Sequence, residues 1–359
     1  MTRRFPFVRL DPLTRKKLQR FRSIRRGYVS FLLLAVAIVL SLAAELLVNS
    51  RALIVRHEGR WYFPTYGAIH TGREFGFDYD YEVNYRDLRA RFAARPAAGN
   101  WVLLPPVPFN PLENCYPGDT FRPRPPDWGK GHYLGTDQIN RDILARLVYG
   151  FRNALVFAAA FILLTYAVGI TLGCLMGYFG GWFDLLIQRL IEIWSNIPFL
   201  FVVIIVASIV PAGIGMNLGV LLFIVVLFSW TGMTYYMRSA TYREKARDYV
   251  HAAQVLGAST PRVIFRHVLP NVLSTIVTFI PFTIASSISA LTALDFLGFG
   301  LPPPTPSWGE LLRQGTSNLQ SPWIVASAFS ALVLVLVLVT FVGEAIREAF
   351  DPKKFTLYQ

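Results

Sequence analysis

The stretch Asp248-Tyr-Val-His-Ala-Ala-Gln-Val-Leu-Gly-Ala-Ser-Thr-Pro-Arg-Val-Ile-Phe-Arg-His-Val-Leu-Pro270 lies between two apolar runs, at about 218–237 and 271–294. It is too polar to stay in hydrocarbon, and its punctuation predicts two short helices. Arg243 to Leu256 holds good helix formers and no breaker. Gly257 is a helix stop, since glycine takes the left-handed conformation without a Cβ penalty. Thr260-Pro261 is a restart, an N-cap hydroxyl followed by proline at the first helical position. Pro270 opens the next apolar run. The expected product is a helix–turn–helix lying along one membrane surface. Ala252, Ala253 and Ala258 keep side chains small near the bend, so a partner surface can come close. A compact corner suits force transfer, because a floppy loop would absorb the motion.

Working outward, six apolar runs approach or exceed the roughly 20 residues a helix needs to cross a bilayer. They fall at about 28–48, 154–179, 190–212, 218–237, 271–294 and 323–343. The chain has 359 residues, 53% of them hydrophobic and only 16% charged, a balance that excludes an ordinary soluble domain. The predicted class is an all-α polytopic membrane protein of about six transmembrane helices. Gly169, Gly173 and Gly177 recur every four residues, the spacing that lets two helix backbones touch in lipid.

The net charge of +13 raises the question of nucleic acid, and its location answers it. Residues 1–27 carry ten Lys/Arg against the single acid Asp11, just before the first span. A basic block there follows the positive-inside rule and implies attraction to lipid headgroups, with no nucleic-acid partner. Leu13, Leu18, Phe21 and Ile24 form an apolar stripe for an interfacial helix. The run that follows is a poor signal peptide, with a long apolar core and no small-residue cleavage site. With 1–27 inside, six spans place the tail 351–359 inside as well. The turn at 180–189 and the loop 238–270 are then inside, while 213–217 and 295–322 are outside. Arg238, Arg243, Lys245, Arg247, Arg262 and Arg266 on the loop 238–270 agree with that orientation.

The segment between the first two spans, 49–136, reads as an α+β insert on the outer side, and 137–350 as the bundle proper. Fourteen basic residues against eleven acids over 49–153 do not oppose this, since long loops translocate largely regardless of charge. Ile54 to Phe63 predicts a hairpin turning at Glu58-Gly59. Phe75, Phe77, Tyr79, Tyr81, Val83 and Tyr85 alternate with glycine or polar residues and predict a strand. Asp87 to Arg95 predicts a short helix ended by Pro96. The proline-rich stretches 104–108 and 122–126 are extended and stiff. Asp137 to Phe151 resumes helical periodicity and runs into the second span.

Residues able to do chemistry are scarce. No Gly-x-x-x-x-Gly-Lys-Ser/Thr occurs, so no P-loop holds ATP in this chain. Cys115 and Cys174 lie on opposite sides of the insert boundary and make neither a disulfide framework nor a metal set. His57, His70, His132, His251 and His267 have no ligand spacing, and His57-Glu58 lacks the second histidine of a zinc-protease motif. Among ionisable residues near spans, Glu45 can reach the interface, and Glu192 has Arg189 one turn away as a partner. Asp295, at the outer end of the fifth run, is the candidate for the translocation path, where it meets a cationic group of the cargo or caps the outer gate.

The 248–270 stretch resembles the EAA loop of ABC importer permeases: Glu-Ala-Ala, three residues, Gly, nine residues, Ile, one residue, Leu-Pro. Ala252, Ala253, Gly257, Leu269 and Pro270 match, while His251 stands where Glu is usual and His267 where Ile is usual. Two further stretches resemble the dipeptide/oligopeptide branch of that family. One is Leu134-Gly-Thr-Asp-Gln-Ile-Asn-Arg-Asp142 with Arg146, Gly150 and Arg152; the other is Phe296-Leu-Gly-Phe-Gly-Leu-Pro-Pro-Pro-Thr-Pro-Ser-Trp-Gly309. Gly59-Arg-Trp-Tyr-Phe-Pro64 extends the likeness, over nearly the whole chain, to the Yej-type permeases that import oligopeptides and microcin C across the inner membrane of Gram-negative bacteria.

The resemblance implies a type I importer bundle and a non-catalytic permease subunit of a peptide importer. It implies a second permease, two ABC ATP-binding subunits that hold ATP and Mg2+, and a periplasmic peptide-binding protein, with no cofactor in this chain. It assigns the coupling loop to Asp248, His251, Ala252, Ala253, Gly257, Ala258, Pro261, Leu269 and Pro270. Two other classes compete. A stand-alone secondary transporter requires intramembrane charge pairs or broken-helix repeats, and a membrane enzyme acting through the insert requires a paired-carboxylate or Ser/His set; neither pattern stands out.

Overall fold

The computed structural model describes residues 12–95, 99–211 and 215–350. Residues 1–11, Pro96 as a helix stop, the first two residues of the 213–217 turn, the side chain of Leu13 and the tail 351–359 lie outside the described residues.

A basic helix α1 (Pro12–Ser23) leads into α2 (Arg25–Leu42) and the single turn α3 (Ala44–Leu47). The insert contributes β1 (Ile54–His57), β2 (Arg60–Tyr62), α4 (Tyr85–Ala93) and β3 (Trp101–Leu103). The bundle follows as α5 (Ile143–Phe179), α6 (Gly181–Ser195), α7 (Phe199–Ile209), α8 (Leu218–Lys245), α9 (Asp248–Val255), α10 (Thr260–Arg262), a π-turn over Val263–Val268, α11 (Leu269–Leu297), α12 (Trp308–Ser317) and α13 (Pro322–Phe350). Among the described residues, α2, α5, α8, α11 from Ile276, and α13 are long and apolar enough to cross a membrane. The pair α6 and α7 makes a sixth only as a span bent by 73°. The expected straight third span at 190–212 is therefore broken, at Asn196-Ile197-Pro198. Proline donates no N–H and pushes the residue before it out of the helical region.

The spine of the bundle is α5 against α8, and the glycine repeat makes it. A Cβ on Gly173 would sit 2.5 Å from Thr234 O and 2.6 Å from Met237 Cβ. One on Gly177 would sit 2.5 Å from Arg238 O, and one on Gly169 2.7 Å from Met233 Cβ. The helices touch backbone to backbone, as small residues permit in lipid. Around this seam one apolar core joins Phe157 and Phe161 of α5, Ile224 of α8, Leu291 of α11, Leu311 of α12 and Ile324 of α13. At the other end of the bundle, α1 lies against the end of α13 through Phe21, Ala345 and Ala349.

In the insert the hairpin forms as expected, with Val55 opposite Tyr62 and both turn residues at positive φ, Glu58 at 49° and Gly59 at 78°. A third strand, Trp101–Leu103, pairs antiparallel on the other edge of β1. The expected strand over Phe75–Tyr85 does not form. Gly72–Phe75 is a 3-10 turn with a Thr71/Glu74 capping box, and Gly76 at φ 78° turns the chain back. The segment then bonds to itself, Gly72 N–H to Tyr81 O and Val83 N–H to His70 O. The aromatic alternation is satisfied by a ring ladder, Phe77 on Tyr79 at 5.3 Å and Tyr79 on Tyr81 at 4.1 Å. The helix expected from Asp137 likewise begins later. The Asp137 carboxylate accepts from the N–H groups of Ile139 and Arg141, a local alternative to the helix. Asn140 takes φ 63°, and Asp142 is the N-cap of α5, accepting from Ala145 N–H at 2.8 Å.

Candidate functional site

The corner between α8 and α11 is built by one backbone motif. Gly257 N–H donates to Gln254 O and Ala258 N–H to Ala253 O, with Gly257 at φ 81°. These are the paired bonds of a Schellman cap, which satisfies the last carbonyls of α9 and fixes the exit direction. Ser259, not Thr260, is the residue before the next helix, so Thr260 and Pro261 occupy its first two positions; Ser259 makes no side-chain cap. Proline tolerates either of those positions, because their N–H groups have no intrahelical partner.

From Thr260 the helix continues without a stop to Leu297, through the π-turn. Leu269 N–H reaches back five residues to Ile264 O. Pro270 follows directly; it cannot donate, and its ring crowds the carbonyl four residues back, which widens the turn. Pro270 therefore lies inside a continuous helix and not at a fresh start. The Asn271 side chain donates to His267 O at 2.6 Å.

The corner is anchored on its inner side and bare on its outer side. Val250, Val263, Ile264 and Val268 are buried with Cys174, Met233 and Met237 of α5 and α8, and Ala253 is buried too. Gln254 donates to Tyr178 Oη at 3.2 Å, and Lys245 donates to Tyr178 O at 2.6 Å, tying the corner to the end of α5. Tyr249 donates to Glu244 at 2.7 Å; burial first, then that carboxylate, push its phenol up to about 12, so it stays a donor at neutral pH. On the bare side Val255 is 88% and Leu256 86% exposed, beside exposed His251, Ala252, Gly257 and Pro261. Asp248 is also exposed, in the first turn of α9 where a carboxylate complements the helix N-terminus. Ala258 and Leu269 are half-buried, and Pro270 is exposed. Ala253 faces the bundle, so of the three alanines expected near the bend only Ala252 is fully outward.

A second constellation joins the two outlying stretches that the sequence marked. Arg141 donates to Asp137 at 2.8 Å and to Glu310 at 3.0 Å. Arg146 donates to the other oxygen of Glu310 and to the carbonyls of Pro111 at 3.2 Å and Pro304 at 3.3 Å. Gln314 donates to Glu310 at 2.8 Å. Two cations thus meet two anions, all buried, between the loop before α5 and the start of α12. Beside them His132 Nδ1 lies within hydrogen-bond distance of an Asp142 carboxylate oxygen, 2.8 Å, with its ring stacked on Phe109. Arg141 and Arg146 fall within the first of those stretches and Glu310 directly follows the second, and no sequence pattern pairs them.

Asp295 belongs to the same end. Its carboxylate accepts from Leu301 N–H at 2.7 Å and from the Ser307 hydroxyl, and it is buried. Gly309 packs directly on its Cβ. Both oxygens are engaged within the loop, so in this conformation neither faces a cargo. Glu45 accepts from Arg152 at 2.6 Å, and Glu192 from Arg189 at 2.5 Å, the pairing expected for the latter.

Residues 169–356, which contain the corner, match the family model described as binding-protein-dependent transport system inner membrane component. The chain is 41% identical over 346 residues to the inner membrane ABC transporter permease protein YejE of Escherichia coli (strain K12), covering 96% of this chain and 99% of that one. It is 37% identical over 374 residues to the peptidoglycan transport system permease protein YejE of Agrobacterium fabrum, covering 96% and 94%. The oligopeptide transport system permease protein OppC of Lactococcus lactis (strain IL1403) is 35% identical over 229 residues, 63% of this chain and 77% of that one. With a helical bundle built to span the membrane and a cap-fixed corner inside the matched region, the chain belongs to the binding-protein-dependent inner membrane components, the permeases of ABC transporters.

Proposed function

We propose that this chain is the permease subunit of an ATP-driven importer that carries peptides across the bacterial inner membrane, and that it performs no chemistry itself. The relatives named for oligopeptide and peptidoglycan transport support the cargo class. In this reading both termini and the 248–270 corner face the cytoplasm and the 49–136 insert faces the periplasm. A second permease completes the pathway, and two ATP-binding subunits hold ATP and Mg2+. A periplasmic peptide-binding protein delivers cargo to the outer end. The clamp of Arg141, Arg146, Glu310 and Asp295 holds that outer end as one body.

The observation that carries the reading is the knuckle of Val255 and Leu256. Two aliphatic side chains almost fully exposed on a rigid, well-anchored corner are a surface built for a partner. A partner that grips the knuckle moves α11 directly, because the helix from Thr260 to Leu297 is unbroken. Coupling then requires that nucleotide and cargo each bind the two states of the bundle with different affinity. The test is cross-linking from Leu256→Cys in membranes that contain the co-expressed subunits. An ATP-binding subunit should be captured. Capture of none in any nucleotide state, or uptake by the lone chain in liposomes, overturns the assignment.

A further inference from the structure

A cavity of about 360 Å³ opens between α8 and α11, with α5 behind it. No lining residue is charged, although seven carry hydroxyls, chiefly Thr165, Tyr166, Ser229, Tyr236, Thr283 and Ser286. Their spacing is deliberate in the sense that each helix offers one face: Ser229, Gly232 and Tyr236 on α8, Phe279, Thr283 and Ser286 on α11. Gly232 is exposed, and a Cβ there would meet nothing within 4 Å, so the opening continues outward.

The hydroxyls are arranged as acceptors. Thr165 donates to Phe161 O at 2.5 Å, Thr283 to Phe279 O at 3.1 Å and Ser286 to Thr283 O at 3.0 Å. Each proton is spent on the residue's own helix, which leaves oxygen lone pairs toward the cavity. Tyr166 Oη and Thr283 Oγ1 lie 2.7 Å apart across α5 and α11. Ser229 and Tyr236 make no side-chain hydrogen bond with the described residues and remain free to donate or accept.

This face contrasts with the rest of the bundle. The large exposed side chains along α13 are Phe329, Val333, Leu334 and Val337, beside the exposed Ser330, and those on α5 include Leu163 and Leu164. Lipid suits those side chains. It does not suit exposed Ser229 and Ser289, whose hydroxyls find no side-chain hydrogen bond among the described residues and would lie unpaired in hydrocarbon. The α8/α11 face is therefore turned to water or to what passes through it.

We propose that this cavity is the chain's share of the cargo pathway, a neutral wall that accepts hydrogen bonds from the N–H groups of a peptide main chain and so tolerates cationic, anionic and neutral side chains alike. The inference rests on the importer reading above. It moves the pathway residues from Asp295, whose oxygens are engaged, to the hydroxyl face 283–290. A main chain presents an N–H at nearly every residue whatever its sequence, whereas a fixed charge in the wall would favour one class of side chain.

The test is uptake by the importer, purified with its ATP-binding and peptide-binding subunits and reconstituted in liposomes. The probes are three tripeptides differing only in a central Ala, Lys or Glu. Each is supplied at a concentration that saturates the binding protein, so that delivery is equal. The parent should carry all three at similar rates. Ser286→Asp should lower the Glu peptide relative to the Lys peptide by about tenfold or more, the effect of a unit charge a few ångströms away in a partly screened site. Unchanged relative rates with uptake intact overturn the pathway wall while leaving the coupling corner untouched. Loss of ATP-binding subunits from the purified parent would instead strike the importer reading. Should Ser286→Asp not insert, Ser229→Cys gives the second readout. A water-soluble thiol reagent should label it, and peptide cargo should slow the labelling; no labelling above the parent's own cysteines in every nucleotide state overturns the proposal.

Discussion

Gly257 offers a controlled way to test whether the corner transmits force. Its φ of 81° is open to glycine and strained for every other residue, yet a Cβ there would meet nothing within 4 Å. Gly257→Ala therefore adds backbone strain alone, about 1–2 kcal/mol for holding an L-residue in the left-handed region. Gly59, in the insert hairpin, has φ 78° and equally open surroundings. Gly59→Ala adds the same strain far from the corner. The pair separates location from strain, because the two substitutions differ in little else.

Gly257→Pro goes further. It fixes φ near −65° in place of 81°, so the chain leaves α9 in another direction. It removes the N–H that donates to Gln254 O, worth about 0.5–1.5 kcal/mol. It also disfavours the near-helical ψ of 7° at Leu256. Gly257 makes no contact in the α5–α8 seam, which should survive, so the chain should still insert in the membrane. In liposomes with all subunits, Gly59→Ala should hydrolyse ATP and take up peptide normally. Gly257→Ala should shift the docked corner by a factor of about 5–30, as 1–2 kcal/mol implies, and weaken cargo-stimulated hydrolysis accordingly. Gly257→Pro should abolish uptake. Parental transport by the proline variant, or equal losses from the two alanine variants, would refute the argument that corner geometry carries the stroke.

Other perturbations act on stability or on the insert. Arg146→Met strands buried Glu310 with one cation fewer and should cost about 3–5 kcal/mol, read as a lower thermal midpoint in detergent; adding Glu310→Met should recover much of it, since Asp137 and Arg141 remain paired. Gly173→Ala places a methyl 2.5 Å from Thr234 O and should cost about 1–3 kcal/mol by the same measure, as the α5–α8 seam is forced apart. Replacing 51–105 by a short Gly-Ser turn keeps the Val48–Val107 bridge and should leave the bundle folded while reducing uptake that depends on the binding protein; undiminished uptake would remove the insert from docking. Glu74 is held below its ordinary 4.5, first by Thr71 N–H and then by His70, so its contribution to the 71–76 turn is complete above about pH 4.5 and is lost as pH falls through the lower native value. Protection factors at Gly72–Gly76, referred to the intrinsic exchange rate at each pH, should therefore fall at low pH, and Glu74→Gln should remove the step.

What could be read from the sequence was what depends on near neighbours. Gly257 as a stop, Glu58-Gly59 as a turn and the Gly169–Gly173–Gly177 seam follow from backbone freedom or from one helix face, and the structure has them at those positions. The strand expected over Phe75–Tyr85 failed because alternating rings can be satisfied by stacking on one another once Gly76 reverses the chain. The helix expected from Asp137 failed because a carboxylate captured two nearby N–H groups. The break at Pro198 was signalled by the proline, but the surrounding apolar run masked it. The Arg146–Glu310 pair spans 164 positions, and nothing local encodes such a distance. Its two halves lie in or beside the two stretches marked by resemblance, and only the packing of α12 beside α5 shows that they meet.

The placement of charge suggests how one push can be directed. At the insert end, Arg141, Arg146, Glu310 and Asp295 are tied to one another or to backbone, so that end resists deformation. At the corner, Lys245 and Gln254 bind the last turn of α5, and the glycine seam joins α5 to α8 over much of their length. Load on Leu256 is therefore not absorbed by bending α8. It passes to the one neighbour with a continuous backbone from the corner, the helix from Thr260 to Leu297. Along that helix the polar tie to α5 within the cavity is Thr283 with Tyr166, a neutral hydrogen bond worth about 1 kcal/mol. A weak tie between two stiff bodies is where motion is cheapest. It lies in the hydroxyl-lined cavity, so under the proposed coupling the element the corner would drive is also the one whose displacement changes the width of the proposed path.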